Sequence, residues 1–240
     1  MSRTWILLLS VVLTVSLCLG AVPARADWVI GAEYVRLDRD LKLAGINFGS
    51  GSGNGISALV GYDFGDLIGG LRLYQDKATL TEGDVETDFR KRSLAAELSW
   101  EGDLTDRDFY SLIGGGYLTQ YTVSDVSSFF PGDQRLRVLG LSLGIQLRHF
   151  FNDSFFVTGK GQLHLALATN LAVAAPGSLN SLSFNGYDLE AALGSQLARS
   201  GDWSIQLGYR LQRSVLSGSF LEDSNHGFFL TTKVKLSPSR

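Results

Sequence analysis

The sequence predicts an all-β chain, closed as an antiparallel up-and-down transmembrane β-barrel of ten strands, with eight as the alternative. Three observations predict it. Apolar and polar side chains alternate with a period of two over many long segments. The connections between those segments alternate strictly between long and short. Aromatic residues gather where the segments end.

The strand segments are Trp28–Leu37, Gly55–Phe64, Leu67–Asp76, Phe89–Trp100, Phe109–Tyr121, Leu136–Phe151, Phe155–Ala168, Leu182–Leu197, Trp203–Arg213 and Gly227–Leu236. Most have the length of tilted membrane strands, about ten residues, rather than that of soluble strands. Alternation is clearest late in the chain. Leu139, Leu141, Leu143, Ile145 and Leu147 oppose Gly140, Ser142, Gly144, Gln146 and Arg148. Ile205, Leu207, Tyr209 and Leu211 oppose Ser204, Gln206, Gly208 and Arg210. A helix would scatter these sets; a strand puts each on one face. Leu67–Asp76 and Phe109–Tyr121 are the weakest segments. The latter has apolar residues on both faces around Gly114-Gly115-Gly116, so its faces stay unassigned.

The short connections are Gly65-Asp66, Glu101–Asp108, Asn152-Asp153 and Ala198–Asp202. The long ones are Asp38–Asn54, Lys77–Asp88, Thr122–Arg135, Thr169–Ser181 and Ser214–His226. Barrels of this kind have short periplasmic turns and longer extracellular loops, so both termini belong on the periplasmic side. Trp28, Trp100 and Trp203, with Phe64, Phe109, Phe151 and Phe155, then form a periplasmic girdle. Tyr74, Phe89, Tyr121 and Phe228 form the opposite one.

Residues 1–26 read as a signal peptide. Arg3 is followed by the apolar run Trp5–Leu19 and by Ala24-Arg25-Ala26, a small-x-small cleavage pattern. The expected organisation is residues 1–26 as leader, 27–236 as barrel and 237–240 as a short tail. Cleavage removes Arg3 and Arg25, so 21 basic residues become 19 against 24 acids, a net charge of −5. That balance argues against nucleic acid as a partner. The single Cys and single Met also leave, which excludes a disulfide or a thiolate metal site in the processed chain. Pro131, Pro176 and Pro238 all fall outside the strand segments, as residues lacking a ladder donor should.

On these strands and girdles the chain resembles the small outer-membrane β-barrel proteins of the OmpA-like and opacity-protein group, over Asp27 to Leu236. The likeness lies in pattern rather than in a catalytic motif. Gly227–Leu236 resembles the last-strand signal read by the barrel assembly machinery, but it departs from the group's usual aromatic end and continues as Ser237-Pro238-Ser239-Arg240. The resemblance implies a location in the cell outer membrane, with outer-membrane lipid, lipopolysaccharide and the assembly machinery as partners. It implies no cofactor, and no peptidoglycan-binding domain is expected to follow.

Alternation assigns to the lumen Glu33, Asp63, Arg72, Lys91, Glu97, Arg148, Lys160, His164, Asp188, Glu190, Arg210 and Lys233. Charges of both signs in a narrow barrel point to a plug of ion pairs, because such a barrel is just wide enough for side chains to fill and buried charges need partners. Arg90, Arg92, Arg135, Arg137 and Arg213 are expected at the outer rim, where their guanidinium groups suit lipopolysaccharide phosphates. His149, His164 and His226 have no compact ligand spacing, so no metal site is expected. Ser224-Asn225-His226, after Glu222-Asp223, is the one stretch with hydrolase-like residue types, but it matches neither omptin proteases nor lipid A deacylases. Gly49, Gly51, Gly53 and Gly55 lack a phosphate-loop lysine and read as a flexible outer loop. The leading expectation is a non-enzymatic structural or surface protein with a side-chain-filled polar lumen. The alternatives are a narrow porin for small solutes, a rim hydrolase, and an adhesin or receptor binding through its loops.

Overall fold

The computed structural model describes residues 27–43, 45–124, 134–172, 184–197, 202–216 and 221–237. Expectations about the leader, the three prolines and the C-terminal tail beyond Ser237 lie outside them. The described chain forms ten antiparallel strands: β1 (Asp27–Leu43), β2 (Ile46–Asp63), β3 (Leu67–Glu82), β4 (Val85–Asp103), β5 (Asp108–Ser124), β6 (Gln134–Phe150), β7 (Phe155–Ala172), β8 (Phe184–Gln196), β9 (Trp203–Leu216) and β10 (Leu221–Leu236). Each pairs with its sequence neighbour, and β1 pairs with β10 to close the barrel. Trp28 lies opposite Leu236, so the first and last strands meet at the same end of the cylinder. Closure leaves no open sheet edge, which is what a sheet needs in a medium without hydrogen-bond partners.

Around one zone of the cylinder the outward side chains are apolar. Ile30, Ile56, Leu73, Leu98, Leu143, Leu163, Leu193, Leu207 and Leu230 are all exposed there. On β9 the zone runs from Trp203 to Leu211. At about 3.3 Å per residue and a tilt of about 40° its height is about 20–25 Å, a match for a bilayer's hydrocarbon. Trp28, Trp100 and Trp203 mark its edge at the end that holds both termini, and all three are exposed. Trp203 Nε1 donates to Thr232 Oγ1 at 3.0 Å, keeping the ring's polar edge bonded.

Beyond this band the strands do not stop. Alternation continues, but the polarity of the two faces reverses. On β1, Trp28, Ile30 and Tyr34 point outward below, with Glu33 inward. Farther along, Arg36, Asp38, Asp40 and Lys42 point outward, while Val35, Leu37 and Leu41 are buried. β3, β4 and β6 repeat the change: Leu80, Phe89, Leu136 and Val138 turn inward, and Lys77, Arg90, Arg135 and Arg137 turn outward. These inward residues join Leu41, Phe48, Tyr121, Val123 and Leu221 in one apolar cluster. The far half is therefore a water-surrounded barrel with an ordinary hydrophobic core, stacked on a lipid-surrounded barrel with a polar core.

This corrects the expected long loops. Much of Asp38–Asn54, Lys77–Asp88 and Ser214–His226 is strand. β3 and β4 are joined by a tight turn at Gly83, whose φ of 61° suits glycine. The glycine-rich stretch is part of β2 rather than a flexible loop. A Cβ at Gly51 or Gly53 would overlap the backbone oxygen of Thr79 or Lys77 on β3, so glycine lets the two strands approach. The second girdle is also corrected. Tyr74, Phe89 and Tyr121 face the interior, and only Phe228 of that set is exposed. Likewise Phe109 packs with Phe150, and Phe150 with the buried Phe156, as a cluster within the barrel at the terminal end. The faces of β5 are now plain: Ser111, Tyr117, Thr119, Tyr121 and Val123 are buried, while Leu112 is exposed.

Candidate functional site

Inside the lipid-facing band the inward residues converge on one polar chamber of about 100 Å³. Glu33, Arg72, Lys91, Glu97, Lys160, His164, Asp188, Glu190 and Arg210 line it. At its centre Arg210 on β9 grips Glu33 on β1 with two bonds, 3.0 and 2.8 Å, and donates from Nε to Glu190 Oε1 on β8 at 2.9 Å. Thr231 adds a bond to Glu33 at 3.1 Å. The guanidinium fork thus joins two carboxylates, the arrangement that offsets the desolvation of all three groups. Lys160 approaches Glu190 at 3.9 Å, and Arg72 approaches Glu97 at 3.7 Å. His164 Nε2 lies 3.1 Å from Asp188 Oδ2, and the Tyr117 ring stands perpendicular to the imidazole with centroids 5.4 Å apart.

Lys91 does something different. Its Nζ donates to Gln212 Oε1 at 2.7 Å. Lys91 belongs to β4 and Gln212 to β9, and these strands are five places apart in either direction around the ten-stranded ring. The bond therefore crosses the full diameter. Just beyond it, fully buried Arg39 bonds both oxygens of Asp76 at 2.6 and 2.9 Å, and its Nε lies 2.9 Å from Asp223. The Arg39 guanidinium also stacks 4.1 Å from the centre of the Phe89 ring. The apolar cluster begins there, so the chamber is roofed.

The other three lumen candidates are also on the interior face but fall outside the chamber's lining, toward the terminal end. Asp63 is at the terminal mouth, 2.8 Å from Lys235, which also reaches Asp27 at 3.1 Å. Arg148 stacks over Phe156 at 5.3 Å. Lys233 lies beside Gly31, opposite it in the β1–β10 register. Sequence reasoning missed Arg39, Asp76, Asp223, Tyr74, Tyr117, Tyr121 and Gln212. Arg39 and Asp223 fell within expected loops, and a charge inside an otherwise apolar core breaks the local pattern. The alternation through Arg36–Leu43 was the available signal.

The residues of the hydrolase-like stretch do not converge. Asp223 is fully buried against Arg39, whereas His226 points outward and bonds Tyr209 OH at 2.8 Å. Glu222 pairs with Lys42 at 3.9 Å. No cluster of three His, Cys, Asp or Glu that could hold a metal occurs among the described residues. His149 lies at the terminal end, its Nδ1 2.7 Å from Asp108 Oδ1. Bonds from the Thr105 hydroxyl and from His149 hold the Asp108 carboxyl below its usual range.

Arg90 and Arg92 on β4 and Arg135 and Arg137 on β6 all face outward, on either side of β5. Arg213 is on β9, diametrically opposite β4, and does not join them. In register, Gln75, Arg92, Gln120 and Arg137 form one row across β3 to β6. Arg92 Nε donates to Gln75 at 3.1 Å and Arg137 Nε to Gln120 at 3.0 Å.

No protein-family model matches the chain, and no curated protein matches it in sequence. Solved structures match in architecture. The Escherichia coli outer-membrane protease OmpT is 12% identical with a TM-score of 0.47, over 89% of this chain and 96% of that one. The β domain of the Bordetella autotransporter BrkA is 11% identical with a TM-score of 0.47, over 89% and 100%. Neisserial surface protein A is 12% identical with a TM-score of 0.43, over 88% and 99%. These likenesses are of strand architecture and carry no activity across.

Proposed function

We propose that the chain is an integral outer-membrane protein with a sealed lumen and a structural or surface role, rather than a conduit for solutes. The observation that carries this reading is the Lys91–Gln212 bond across the barrel's diameter. A pore needs a continuous aqueous path, and here the path is obstructed by a polar network and then by the Leu37, Leu80 and Phe89 level of an apolar core. A surface role is favoured by the extensions. On β1 the segment Arg36–Leu43 continues past the band, enough to raise the far end about 20 Å above the bilayer.

The test uses protein purified from outer-membrane fractions whose folded state is checked by heat-modifiable mobility. Reconstituted in planar bilayers, it should show no steady unitary openings. Reproducible ohmic steps from the folded species would replace this reading with a narrow porin.

A further inference from the structure

On the outer surface of β3 to β6, three successive rungs share one register. The lowest is Leu73, Leu94, Leu118 and Leu139. Above it run Gln75, Arg92, Gln120 and Arg137, and then Lys77, Arg90, Thr122 and Arg135. The two upper rungs hold five cations and no acid. At comparable heights on β1 and β10, Arg36 and Lys42 are interleaved with Asp38, Asp40 and Glu222, so the opposite side is mixed in sign. The cationic face is local.

A groove of about 660 Å³ opens at the boundary between the apolar rung and the first cationic rung. Ala58, Leu73, Leu94 and Leu118 form its lower wall, Ile56 closes one end of the rung above, and Arg92 and Arg137 stand on that upper rung. Ala58 makes the hollow, because it faces outward between larger apolar neighbours. The glutamines at 75 and 120 hold the two guanidinium groups by Nε, a bond that does not use the Nη pair. Adjacent strands are about 4.8 Å apart, so Arg92 and Arg137, flanking Gln120, are spaced about 10 Å apart. That spacing fits a headgroup with separated anionic oxygens.

We propose that this groove is a seat for a phosphate-bearing lipid of the surrounding leaflet, its acyl chain along Leu73, Leu94 and Leu118 and its phosphate on Arg92 and Arg137. The occupant follows from charge complementarity set directly against an apolar wall at the membrane boundary. A guanidinium is the side chain suited to bidentate phosphate. In the outer leaflet of an outer membrane the phosphate-bearing lipid is lipopolysaccharide. The proposal rests on the outer-membrane reading above.

The test measures binding of bisphosphorylated lipid A to detergent-solubilised full-length protein by native mass spectrometry. Dephosphorylated lipid A and inorganic phosphate serve as the comparison arms. Arg92→Gln/Arg137→Gln removes the phosphate contacts, Ala58→Trp fills the hollow without changing charge, and Arg213→Gln is the control. The expected result is at least about tenfold weaker binding for the double variant and for Ala58→Trp, and an unchanged affinity for Arg213→Gln. Dephosphorylated lipid A should match the loss seen in the double variant, and inorganic phosphate at equal concentration should not compete. Equal binding by all folded variants overturns the proposal, as does full competition by inorganic phosphate. Heat-modifiable mobility and membrane fractionation of the same samples separate the two readings. A wild-type chain found dissolved in the periplasm without detergent overturns the parent reading, whereas a folded membrane barrel indifferent to lipid phosphate overturns this one alone.

Discussion

Arg39 of β1 and Asp76 of β3 meet in a two-bonded fork inside the apolar core of the barrel's far half, and neither side chain reaches solvent. Asp223 shares the same guanidinium from β10. The cluster links three strands at the level where the polar chamber gives way to apolar packing.

Removing one partner leaves a buried charge uncompensated. Asp76→Ala is expected to destabilise the barrel by about 3–5 kcal/mol. Replacing Arg39, Asp76 and Asp223 together with leucines should recover much of that loss, because well-packed apolar groups substitute for buried ion networks. Urea unfolding in detergent measures both. A single variant within about 0.5 kcal/mol of wild type would show that the cluster is solvated.

The two seals are expected to act independently. Lys91→Ala cuts the bond across the diameter but leaves the apolar core, and Phe89→Ala does the reverse. Neither single variant should conduct in a planar bilayer, whereas the double variant should show flickering openings. Steady conductance from Lys91→Ala alone would mean that the upper core is porous.

The reversal of faces along each strand sets the cost of outward charges. Leu207→Arg, in the band, is expected to cost about 2–4 kcal/mol. Asp38→Arg, beyond it, should stay within about 0.5 kcal/mol. Leu37→Asp, inward at that same height, should be severely destabilising, since it buries a carboxylate without a partner. If Asp38→Arg cost as much as Leu207→Arg, the hydrocarbon boundary would lie higher than the polarity reversal indicates.

Gly51 is expected to tolerate no side chain, because a Cβ there would overlap the Thr79 carbonyl. Gly51→Val should part the outer ends of β2 and β3 and open the Gly83 turn to proteolysis, while the membrane band stays folded. Hydrogen exchange localises the change. Uniform protection across both strands in the variant would refute the close approach.

Asp108 supplies a pH dependence. Its carboxyl is held below the usual range by the Thr105 and His149 bonds, so its folded value lies beneath its unfolded one. The contribution is therefore fully present above the unfolded value and disappears as pH falls through the folded one. Wild type should be more stable than Asp108→Asn at neutral pH, and the gap should close below about pH 4. A gap independent of pH would assign the effect to packing instead.

The period-two pattern and the terminal tryptophans pointed to ten antiparallel strands, with eight as the alternative, to their order and to the shared end of both termini; the long loops that the same reading expected are largely strand. Strand order and the shared end depend only on backbone geometry and nearest neighbours. The same pattern put Glu33, Glu190 and Arg210 on one face without showing that they meet. Tertiary structure alone decided which polar groups meet across the ring, as Lys91 does with Gln212, because that depends on closure and register summed over five strands. It also decided where outside and inside exchange polarity. Leu207, outward in the band, and Leu37 and Leu41, inward beyond it, look alike in sequence. Alternation records that two faces differ but not which medium each one meets.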